Sequence, residues 1–301
     1  MKEKKILVIG SSNTDMVIKA SRFPKPGETI LGGDFFMNQG GKGANQAVAV
    51  ARLKGDVDFI CKTGNDLFRE QSVALFRNEG INTEWILSDN EKPSGIALIM
   101  VDDSGENSIV VASGANGSLA PGDIEKVTEV VFRSDYILMQ LEIPLDTVEY
   151  VVNLASSKDK KVILNPAPAV DLPQHLLEKI YLITPNRIEA ELLSGIKIKD
   201  RDTTMEAAKI LLDKGVKHVI ITLGEEGALS YDGEVEWIPG EKVEAADTTG
   251  AGDVFNGALT VGLAEGLSMS DAVRFANKAA AISITRFGAI PSIPYRKELL
   301  E

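Results

Sequence analysis

The sequence predicts an α/β fold in which helices cover both faces of a central, mostly parallel β-sheet, with a small β-sheet projecting from it as a lid. Short apolar runs alternate along the chain with segments of helical period, an order typical of parallel sheets. Two other stretches, at about 14–39 and 94–113, carry alternating or β-branched residues and turn signals without a helical segment between them. These two stretches predict the lid.

Most strands predicted for the central sheet are followed by a helix. The strand and helix pairs are 6–9 with 44–53, 59–61 with 68–78, 136–141 with 145–155, and 181–183 with 188–193, and further strands cover 162–164 and 219–222. The last third ends with two helices at about 253–264 and 270–285, followed by a loop rich in Gly and Pro at 286–294.

The lid is predicted to consist of two antiparallel hairpins. Lys25-Pro26-Gly27 is the turn signal of the first hairpin, and Asp102-Asp103-Ser104-Gly105 is that of the second. We expect the hairpins to form one small sheet over the site. No long linker, repeat or low-complexity tract interrupts the chain, so residues 1–301 are expected to form a single domain.

Composition and charge narrow the class of protein. The chain has 301 residues, of which 44% are apolar, enough for a large core. Its net charge of −12 argues against nucleic acid or an anionic membrane as a partner, because no basic stripe is present to neutralise phosphates. No segment approaches transmembrane length, and the first apolar run is too short for a signal peptide, so a cytoplasmic protein is expected.

The scarcity of Cys and His argues against several kinds of site. Cys61 is the only cysteine and lies in an apolar run, so it is predicted to pack in the core without a disulfide. His175 and His218 do not lie near other candidate ligands in the sequence, which argues against a metal site built on His and against a Ser-His-Asp triad. A catalytic base is therefore expected to be a carboxylate.

Residues 247–258 combine three requirements of phosphoryl transfer. Gly250, Ala251 and Gly252 are small enough to let backbone N–H groups close on an anion. A helix that begins at about Gly252 adds the positive end of its dipole and amides without an intrahelical partner. Asp253, at the start of this helix, could accept a proton from an attacking hydroxyl. Alternatively, Asp253 caps the helix, and this segment alone does not separate the two interpretations.

A second glycine-rich turn, at residues 40–45, leads into the helix predicted over 44–53. It matches neither a Walker A loop nor a dinucleotide-binding fingerprint. Gly41 and Gly43 would let the backbone approach a polyhydroxyl ligand closely, beside Lys42, and Asn45 can donate to and accept from a pair of hydroxyls. The alternative is a tight turn with an exposed Lys42.

Polar residues at two strand ends are further candidates for a sugar site. Asn13 and Asp15 follow the first strand two residues apart, so in an extended segment they point to one face, where a carboxylate can accept from two vicinal hydroxyls. Glu142 has the same position after the strand at 136–141. Loop-capping polar residues, and a solvated acid at Glu142, are the alternatives.

Two segments are candidates for a nucleotide site. Asn186 and Glu189 have the spacing of a capping box at a helix start. In the functional interpretation, Asn186 lies near the phosphates and Glu189 near Mg²⁺, through water. The segment 222–227 ends a strand and could pass under a nucleotide or form an ordinary hairpin into residues 228–231. Its candidate residues are Thr222, Leu223, Gly224 and Gly227.

Taken together, these motifs resemble the ribokinase family of sugar kinases. The resemblance covers nearly the whole chain in one order. The segments that carry it are 12–15, 40–47, 114–116, 140–142, 165–169, 184–186, 247–253 and 285–292. The match to the second signature of the family is complete from Asp247 to Ala258.

The resemblance implies a role for each matching position. Positions that bind the sugar in the family match Asn13, Asp15, Gly41, Lys42, Gly43, Asn45 and Glu142. The catalytic base matches Asp253, which also contacts the sugar, and the anion hole matches Gly250, Ala251 and Gly252. Positions near the nucleotide match Asn186, Thr222, Leu223, Gly224, Gly227, Gly252 and Asn277, and Glu189 matches the acid that helps to organise Mg²⁺. Positions that hold a monovalent cation, usually potassium, match Asp247, Thr249, Ser283, Arg286, Gly288 and Ser292.

The resemblance also implies an activity. It implies transfer of the γ-phosphoryl group of ATP to the 5-hydroxyl of D-ribose, with Mg²⁺ and K⁺ as cofactors and D-ribose 5-phosphate and ADP as products. The alternatives are a kinase of the same family that acts on deoxyribose, fructose or a nucleoside, and a non-catalytic sugar-binding protein. A nucleotide-cofactor oxidoreductase is disfavoured because residues 10–13 lack the glycine fingerprint. Family members commonly dimerise through the lid sheet, so a homodimer is implied.

Overall fold

The structure, a computed structural model, describes residues 4–300. This part of the chain contains thirteen strands: β1 (Ile6–Ile9), β2 (Asn13–Lys19), β3 (Phe35–Gly40), β4 (Val57–Gly64), β5 (Ile86–Asp89), β6 (Gly95–Val101), β7 (Asn107–Ala112), β8 (Tyr136–Met139), β9 (Lys161–Leu164), β10 (Leu182–Ile183), β11 (His218–Thr222), β12 (Ala228–Tyr231) and β13 (Val235–Ile238).

Eleven α-helices also lie within residues 4–300: α1 (Lys42–Arg52), α2 (Leu67–Asn78), α3 (Pro121–Glu125), α4 (Thr128–Arg133), α5 (Leu145–Ser156), α6 (Gln174–Leu177), α7 (Arg187–Ser194), α8 (Arg201–Asp213), α9 (Ala251–Glu265), α10 (Met269–Ile284) and α11 (Ala289–Ser292). Short 3₁₀ helices cover Gly114–Ser118, Gly224–Glu226 and Arg296–Leu299.

The central sheet has nine strands in the order β13-β12-β11-β10-β9-β8-β1-β4-β5. Every pair from β5 to β11 is parallel, and only β12 and β13 at one edge are antiparallel. Successive residues of β1 enter different cores: Val8 packs with residues of α1, α9 and α10, and Leu7 packs with residues of α5, α7 and α8. The sheet is therefore buried on both faces, which explains its apolar strands and confirms the predicted fold class.

Helix α8 was not predicted from the sequence. Its buried positions, Thr204, Ala207, Ala208 and Leu211, have helical spacing, but only one of them has a large apolar side chain. The N-terminus is nevertheless well defined, because the Asp200 side chain accepts from the amide of Thr203 at 2.9 Å. Small buried residues thus hide a helix from a search for apolar periodicity.

The lid is a four-stranded sheet in the order β3-β2-β6-β7. The β2–β3 and β6–β7 pairs are antiparallel, and the two pairs join through parallel contacts between β2 and β6. The predicted turn at 102–105 connects β6 to β7, and the Gly105 amide donates to the Asp102 carbonyl at 3.0 Å. The predicted turn at Lys25-Pro26-Gly27 is present in the connection between β2 and β3, where the Glu28 amide donates to the Lys25 carbonyl at 2.9 Å, but the connection is longer than a tight hairpin turn, because residues 20–34 are irregular.

Two other expectations can be compared with the structure. Cys61 is fully buried on β4, and burial raises the pKa of its thiol to about 12, so core packing is confirmed. Among the helices of residues 4–300, none is both long enough and apolar enough to cross a membrane.

Candidate active site

The predicted site residues meet at one edge of the central sheet. Because β1, β8, β9 and β10 are parallel neighbours, the segments that follow them emerge at the same edge. These segments contribute Ser11 after β1, Glu142 after β8, Asn165 after β9 and Asn186 after β10. The glycine-rich starts of α1 and α9 also meet at this edge, where Asp253 of α9 is hydrogen-bonded to Asn45 and Gln46 of α1.

Asp253 lies in the first turn of α9 and is only 5% exposed. Its Oδ2 accepts from Nδ2 of Asn45 at 2.8 Å, and its Oδ1 accepts from Nε2 of Gln46 at 3.0 Å. The residue that precedes the helix is Gly250, which has a φ of +75° and makes no side-chain cap. The alternative that Asp253 caps the helix is therefore wrong, since both carboxylate oxygens face α1.

The start of α9 offers amides to an anion. The Ala251 amide donates to the Thr248 carbonyl at 3.2 Å, and Val254 donates to the carbonyl of Gly250 at 2.9 Å. Helix geometry leaves the intervening amides of Gly252 and Asp253 without an intrahelical acceptor. A Cβ added at Gly252 would meet no other part of the protein within 4 Å. The first turn of this 15-residue helix is thus open to an anion.

A cavity of about 180 Å³ lies in front of this turn. It combines residues from four of the sequence motifs, and the alternative of an exposed Lys42 is wrong, because Lys42 is half-buried in its wall. The lining residues are Lys42, Asn165, Ala167, Thr184, Asn186, Glu189, Thr222, Thr248, Gly250, Ala251, Gly252, Asp253 and Asn256.

Lys42 is the cation among several acids at the site. Asp253, Glu142 and Glu189 together raise the pKa of its ammonium group against the effect of burial. Burial raises the pKa of the Asp253 carboxyl, whereas Lys42 and the hydrogen bonds from α1 lower it. A partly buried ammonium beside a carboxylate at an anion-binding turn is suited to a ligand that carries negative charge.

Glu142 is fixed at the N-terminus of α1. Its Oε2 accepts from the Ser11 hydroxyl at 2.5 Å and from the backbone amide of Lys42 at 3.0 Å. The amide of Gly43 donates to the same Ser11 hydroxyl at 3.3 Å. The alternative of a solvated loop acid at Glu142 is therefore wrong, since its carboxylate is part of the glycine-rich turn.

Asn13 and Asp15 lie on β2, on the lid side of the site. Oδ1 of Asn13 accepts from Nδ2 of Asn116 at 2.7 Å, which leaves the Asn13 amide nitrogen as the free donor. Burial raises the pKa of Asp15 to about 7, and the nearby carboxylates of Glu142 and Asp253 add to the effect. Asp15 is therefore close enough to Glu142 and Asp253 for their charges to affect it.

Asn186 and Glu189 form the capping box that their spacing predicts. The Asn186 side chain accepts from the Glu189 amide at 2.9 Å, and the Glu189 carboxylate accepts from the Asn186 amide at 2.8 Å. Both residues also line the cavity, so the structural role does not exclude a functional one. Their contacts with phosphates or Mg²⁺ stay predictions.

Of the other residues predicted to contact a nucleotide, Thr222 and Gly252 line this cavity, and Leu223, Gly224, Gly227 and Asn277 are not part of its wall. The segment from Leu223 to Gly227 connects β11 to β12, as in the hairpin alternative, and the Leu223 amide donates to the Gly227 carbonyl at 2.8 Å. Asn277 donates to the carbonyl of Pro239 at 3.0 Å. Nucleotide contacts of Leu223, Gly224, Gly227 and Asn277 stay predictions.

Three of the residues predicted to hold a monovalent cation meet at Asp247. Its Oδ1 accepts from the amide and hydroxyl of Thr249, at 2.9 and 2.6 Å, and its Oδ2 accepts from the amide of Gly288 at 2.8 Å. The guanidinium of Arg286 pairs with Glu298 and, as a cation without acceptors, cannot bind a metal ion, so only the carbonyl oxygen of Arg286 could be a ligand. The hydroxyls of Ser283 and Ser292 are buried and donate to nearby carbonyls. This set of oxygen donors fits a hard monovalent cation.

The acids around the cavity do not form a preformed metal cage. Among residues 4–300, no group of three or more His, Cys, Asp or Glu side chains could hold a metal ion. The cavity lining contains two carboxylates, that of Asp253 and that of Glu189 near Asn186. This fits Mg²⁺, which usually binds through one or two carboxylates together with substrate phosphates.

Several polar residues that contact the site were not predicted as site residues. Ser11 donates a hydrogen bond to Glu142, Asn116 donates one to Asn13, and Gln46 donates one to Asp253. Gln140 and Asn165 bond Gln46 in turn. All five lie within or beside the motifs, but neutral amides and hydroxyls give no charge signal, and their partners are distant in sequence.

Comparisons with known proteins agree with this chemistry. Residues 3–296 match the pfkB family of carbohydrate kinases. A ribokinase of Haemophilus influenzae is 46% identical over 299 residues, which cover 99% of this chain and 98% of that protein. A deoxyribokinase of Salmonella typhi is 37% identical over 96% of this chain and 95% of its own length.

The fold agrees with the same family. The solved structure of Arabidopsis thaliana ribokinase complexed with ribose and ATP has a TM-score of 0.94 and 31% identity, covering 100% of this chain and 98% of the other. The family match covers nearly all of the described residues, including both glycine-rich helix starts. The chain belongs to the pfkB family of carbohydrate kinases.

Proposed function

We propose that this protein transfers the γ-phosphoryl group of ATP to the 5-hydroxyl of D-ribose, giving D-ribose 5-phosphate and ADP. The observation that carries the proposal is the position of Asp253. Its carboxylate lies beside free amides at the start of α9 and is bonded to Asn45 of the glycine-rich turn. Full-length relatives named ribokinase, and a similar structure with ribose and ATP, support this substrate pair.

The ring hydroxyls of ribose are held from the lid side and from α1. Asp15 accepts from two vicinal hydroxyls, and Asn13 donates through the amide nitrogen that its bond with Asn116 leaves free. Asn45 and Glu142 hold the opposite side of the ring, near Gly41 and Gly43. These contacts direct the primary hydroxyl towards Asp253. Positioning of this kind can supply about 7–11 kcal/mol of the barrier.

Catalysis of phosphoryl transfer depends mainly on the positioning of the reactants and on electrostatic stabilisation of the transferred group. The turn of Gly250, Ala251 and Gly252, with the open amides of Gly252 and Asp253, stabilises the negative charge that builds on the transferred oxygens. Asp253 accepts the proton of the sugar hydroxyl through Oδ2. Lys42 in the cavity wall offsets the accumulated negative charge.

The nucleotide lies along Asn186, Thr222 and the turn that follows β11, and Asn277 lies near its base. Mg²⁺, bound to the phosphates and through water to Glu189, would neutralise charge on the transferring group. The nucleotide phosphates lie in the part of the cavity between Asn186 and Gly252, which both line it.

Potassium is the proposed monovalent cation at the Asp247 cluster. The loop that contains Gly288 packs against the anion-binding turn, because a Cβ at Gly250 would lie 3.3 Å from the Cα of Ala289. A cation held by oxygens of this cluster would keep the loop, and with it Gly250, in place. The oxygens belong to Asp247, Thr249, Ser283, Arg286, Gly288 and Ser292.

A homodimer through the lid sheet is also proposed. Exposed apolar side chains that share one face of the lid, according to the strand register, include Phe35 on β3, Leu98 on β6 and Val110 on β7. A concentration of apolar side chains on a small sheet is typical of a protein interface. A second copy of the chain, whose lid offers the same surface, would cover it isologously.

Release of ADP from ATP and Mg²⁺ tests the function directly. We expect D-ribose to be the best acceptor in a panel that includes 2-deoxyribose, fructose and nucleosides. Preference for 2-deoxyribose would instead assign the activity of the Salmonella typhi relative. Ribose binding measured by calorimetry without ADP release from any acceptor would support a sugar-binding protein and overturn the proposal.

A further inference from the structure

Gln46 connects the proposed catalytic base to the protein interior. It is fully buried on α1, next to Asn45, and its Nε2 donates both to Oδ1 of Asp253 at 3.0 Å and to Oδ1 of Asn165 at 3.1 Å. Its Oε1 accepts from Nε2 of Gln140 at 2.6 Å. Both hydrogens of the Gln46 amide are therefore in use, and so is its oxygen.

This arrangement defines the orientation of the Gln46 amide. The reverse orientation would direct Oε1 of Gln46 at two acceptor oxygens, those of Asp253 and Asn165. It would also direct the amide nitrogen at the amino group of Gln140. Because all three groups are buried, each lost hydrogen bond would leave an unsatisfied polar atom, which is unfavourable. Gln46 is thus held as a donor towards Asp253.

The same network continues to the first turn of α9. Nδ2 of Asn165 donates to the Thr184 carbonyl at 3.3 Å, and the Thr184 hydroxyl donates to Oδ1 of Asn256 at 2.5 Å. Nδ2 of Asn256 then donates to the Gly252 carbonyl at 2.8 Å. One chain of neutral side chains therefore joins the carboxylate of the base to the backbone of the anion-binding turn.

The two oxygens of Asp253 have different surroundings. Oδ2 is bonded to Asn45, which belongs to the proposed sugar site, and Oδ1 is bonded to Gln46 in the interior. We propose that Gln46 is a positioning residue for phosphoryl transfer: it anchors Oδ1 of Asp253 and leaves Oδ2 to receive the proton of the sugar hydroxyl. This inference rests on the proposed kinase function.

A second effect follows from the donor character of Gln46. A hydrogen bond to a carboxylate stabilises its ionised form, which is the form that can accept a proton. The charged groups that surround Asp253 are Lys42 on α1, Glu142 after β8, Asp15 on β2 and Glu189 on α7. None of them changes in the variants below, so a shift in the pH profile would report the loss of the Gln46 donor.

The test uses Gln46→Met, which keeps the length of the side chain and removes its donors and acceptor. The readout is the single-turnover rate of phosphoryl transfer at saturating ribose and ATP, measured across pH. We expect the rate to fall about 10- to 100-fold, because small errors in positioning a reacting group have effects of this size. The KM for ribose should change less than about threefold, and the acid limb of the rate profile should move up by about one pH unit.

Two other variants keep the test decisive. Gln140→Met leaves Gln46 in contact with Asp253 but removes the bond that orients it, so a smaller loss of rate and a smaller upward shift of the acid limb are expected. Thr260→Val is the matched control, since Thr260 is fully buried on α9 and bonds only the Asn256 carbonyl, 2.8 Å from its hydroxyl. Its rate and pH profile should stay within twofold of the wild type.

The outcomes separate this inference from the proposed function. A wild-type protein without kinase activity would overturn the function and the inference with it. An active wild type, with an unchanged transfer rate and pH profile in Gln46→Met, would overturn only the positioning role. If Gln46→Met does not fold, the Gln140→Met profile decides: the upward shift supports the role, and an unshifted acid limb overturns it.

Discussion

Nδ2 of Asn45 lies 2.8 Å from Oδ2 of Asp253, a hydrogen bond that joins residues 208 positions apart in the sequence. It is possible because α1 and α9 pack closely: a Cβ added at Gly257 on α9 would lie 2.6 Å from the Cβ of Ala49 on α1. The glycine-rich turn proposed to hold the sugar and the proposed base are therefore one bonded unit.

Replacement of Asp253 by Asn should separate catalysis from sugar binding. The variant keeps an acceptor for Asn45 but cannot take the proton of the sugar hydroxyl, so we expect kcat to fall by about 10²- to 10⁴-fold. Ribose affinity, measured by calorimetry, should remain within about tenfold of the wild type. Turnover close to the wild-type value in Asp253→Asn would contradict a role as the base.

Gly252 and Gly257 of α9 provide a matched pair of substitutions to test the anion-binding turn, since only Gly252 lies in it. At Gly252 an added Cβ would enter open space in the cavity, so Gly252→Ala should fold with equal or greater stability, since Ala is favoured over Gly in a helix by about 1 kcal/mol. At Gly257 the Cβ would collide with Ala49, and Gly257→Ala should lose about 1–3 kcal/mol of stability.

The effects on activity should be in the opposite order to those on stability: Gly252→Ala should lower kcat more than Gly257→Ala does. Gly252→Ala narrows the space for the transferred phosphoryl group, so we expect its kcat to fall by at least tenfold while its thermal midpoint is retained. Gly257→Ala should lower the thermal midpoint and affect kcat mainly through misplacement of Asn45. Thermal unfolding and steady-state rates of both variants check the prediction; full activity in Gly252→Ala would argue against phosphate binding at this turn.

The sequence predicts the place of the site better than its internal contacts. Parallel strands bring their carboxyl ends to one edge, so a polar residue after each strand has a predictable position, and Ser11 and Glu142 do meet there. The pattern around Asp253 left catalysis and capping open, because the choice depends on α1, which comes from a distant part of the chain. Only the packing of the two helices decides it.

Other features escape sequence analysis because their signals are weak or delocalised. Helix α8 buries mainly small residues, and the turn signal at 25–27 does not reveal that the whole of residues 20–34 is irregular between β2 and β3. Gln46 and Gln140 belong to recognisable motifs, yet an uncharged amide can donate or accept, so its role is undefined until its partners are known. Two partners of Gln46, Asp253 on α9 and Asn165 after β9, lie more than 100 residues away from it in the sequence.

Ribose binding should weaken at acidic pH because of Asp15. Its pKa is raised to about 7, and only the ionised carboxylate accepts from two hydroxyls. As the pH falls below 7 the ionised fraction decreases, so the KM for ribose should be about tenfold higher at pH 6 than at pH 8. Initial rates at several pH values measure the effect, and a constant KM between pH 8 and 6 would contradict it.

The same carboxyl has a stability effect with a defined sign. Its folded pKa is above the value of 3.8 expected without burial, so the folded protein binds more protons between about pH 4 and pH 7. Its contribution to stability therefore falls as the pH rises through this window. The control Asp15→Asn lacks this dependence and should have a higher thermal midpoint than the sugar-free wild type at pH 8, although it should lose ribose binding.

Activity should depend on a monovalent cation at Asp247. We expect higher kcat with potassium than with a tetraalkylammonium salt of equal ionic strength, and caesium should substitute in part. Asp247→Ala removes the acceptor for Thr249 and Gly288, so its kcat should be low and insensitive to potassium. Equal wild-type rates with and without potassium would remove the cation from the mechanism.

The apolar lid surface predicts the oligomeric state. Val110 is 66% exposed on β7, and Val110→Asp would introduce a charge into each half of an isologous interface. We expect the wild type to sediment as a dimer and Val110→Asp to shift towards the monomer at the same concentration. Val235→Asp is the control, because Val235 is an exposed residue of the edge strand β13 in the central sheet. If the wild type is a monomer at micromolar concentration, the proposed dimer is excluded. If Val110→Asp stays dimeric, the contact between the two copies lies elsewhere.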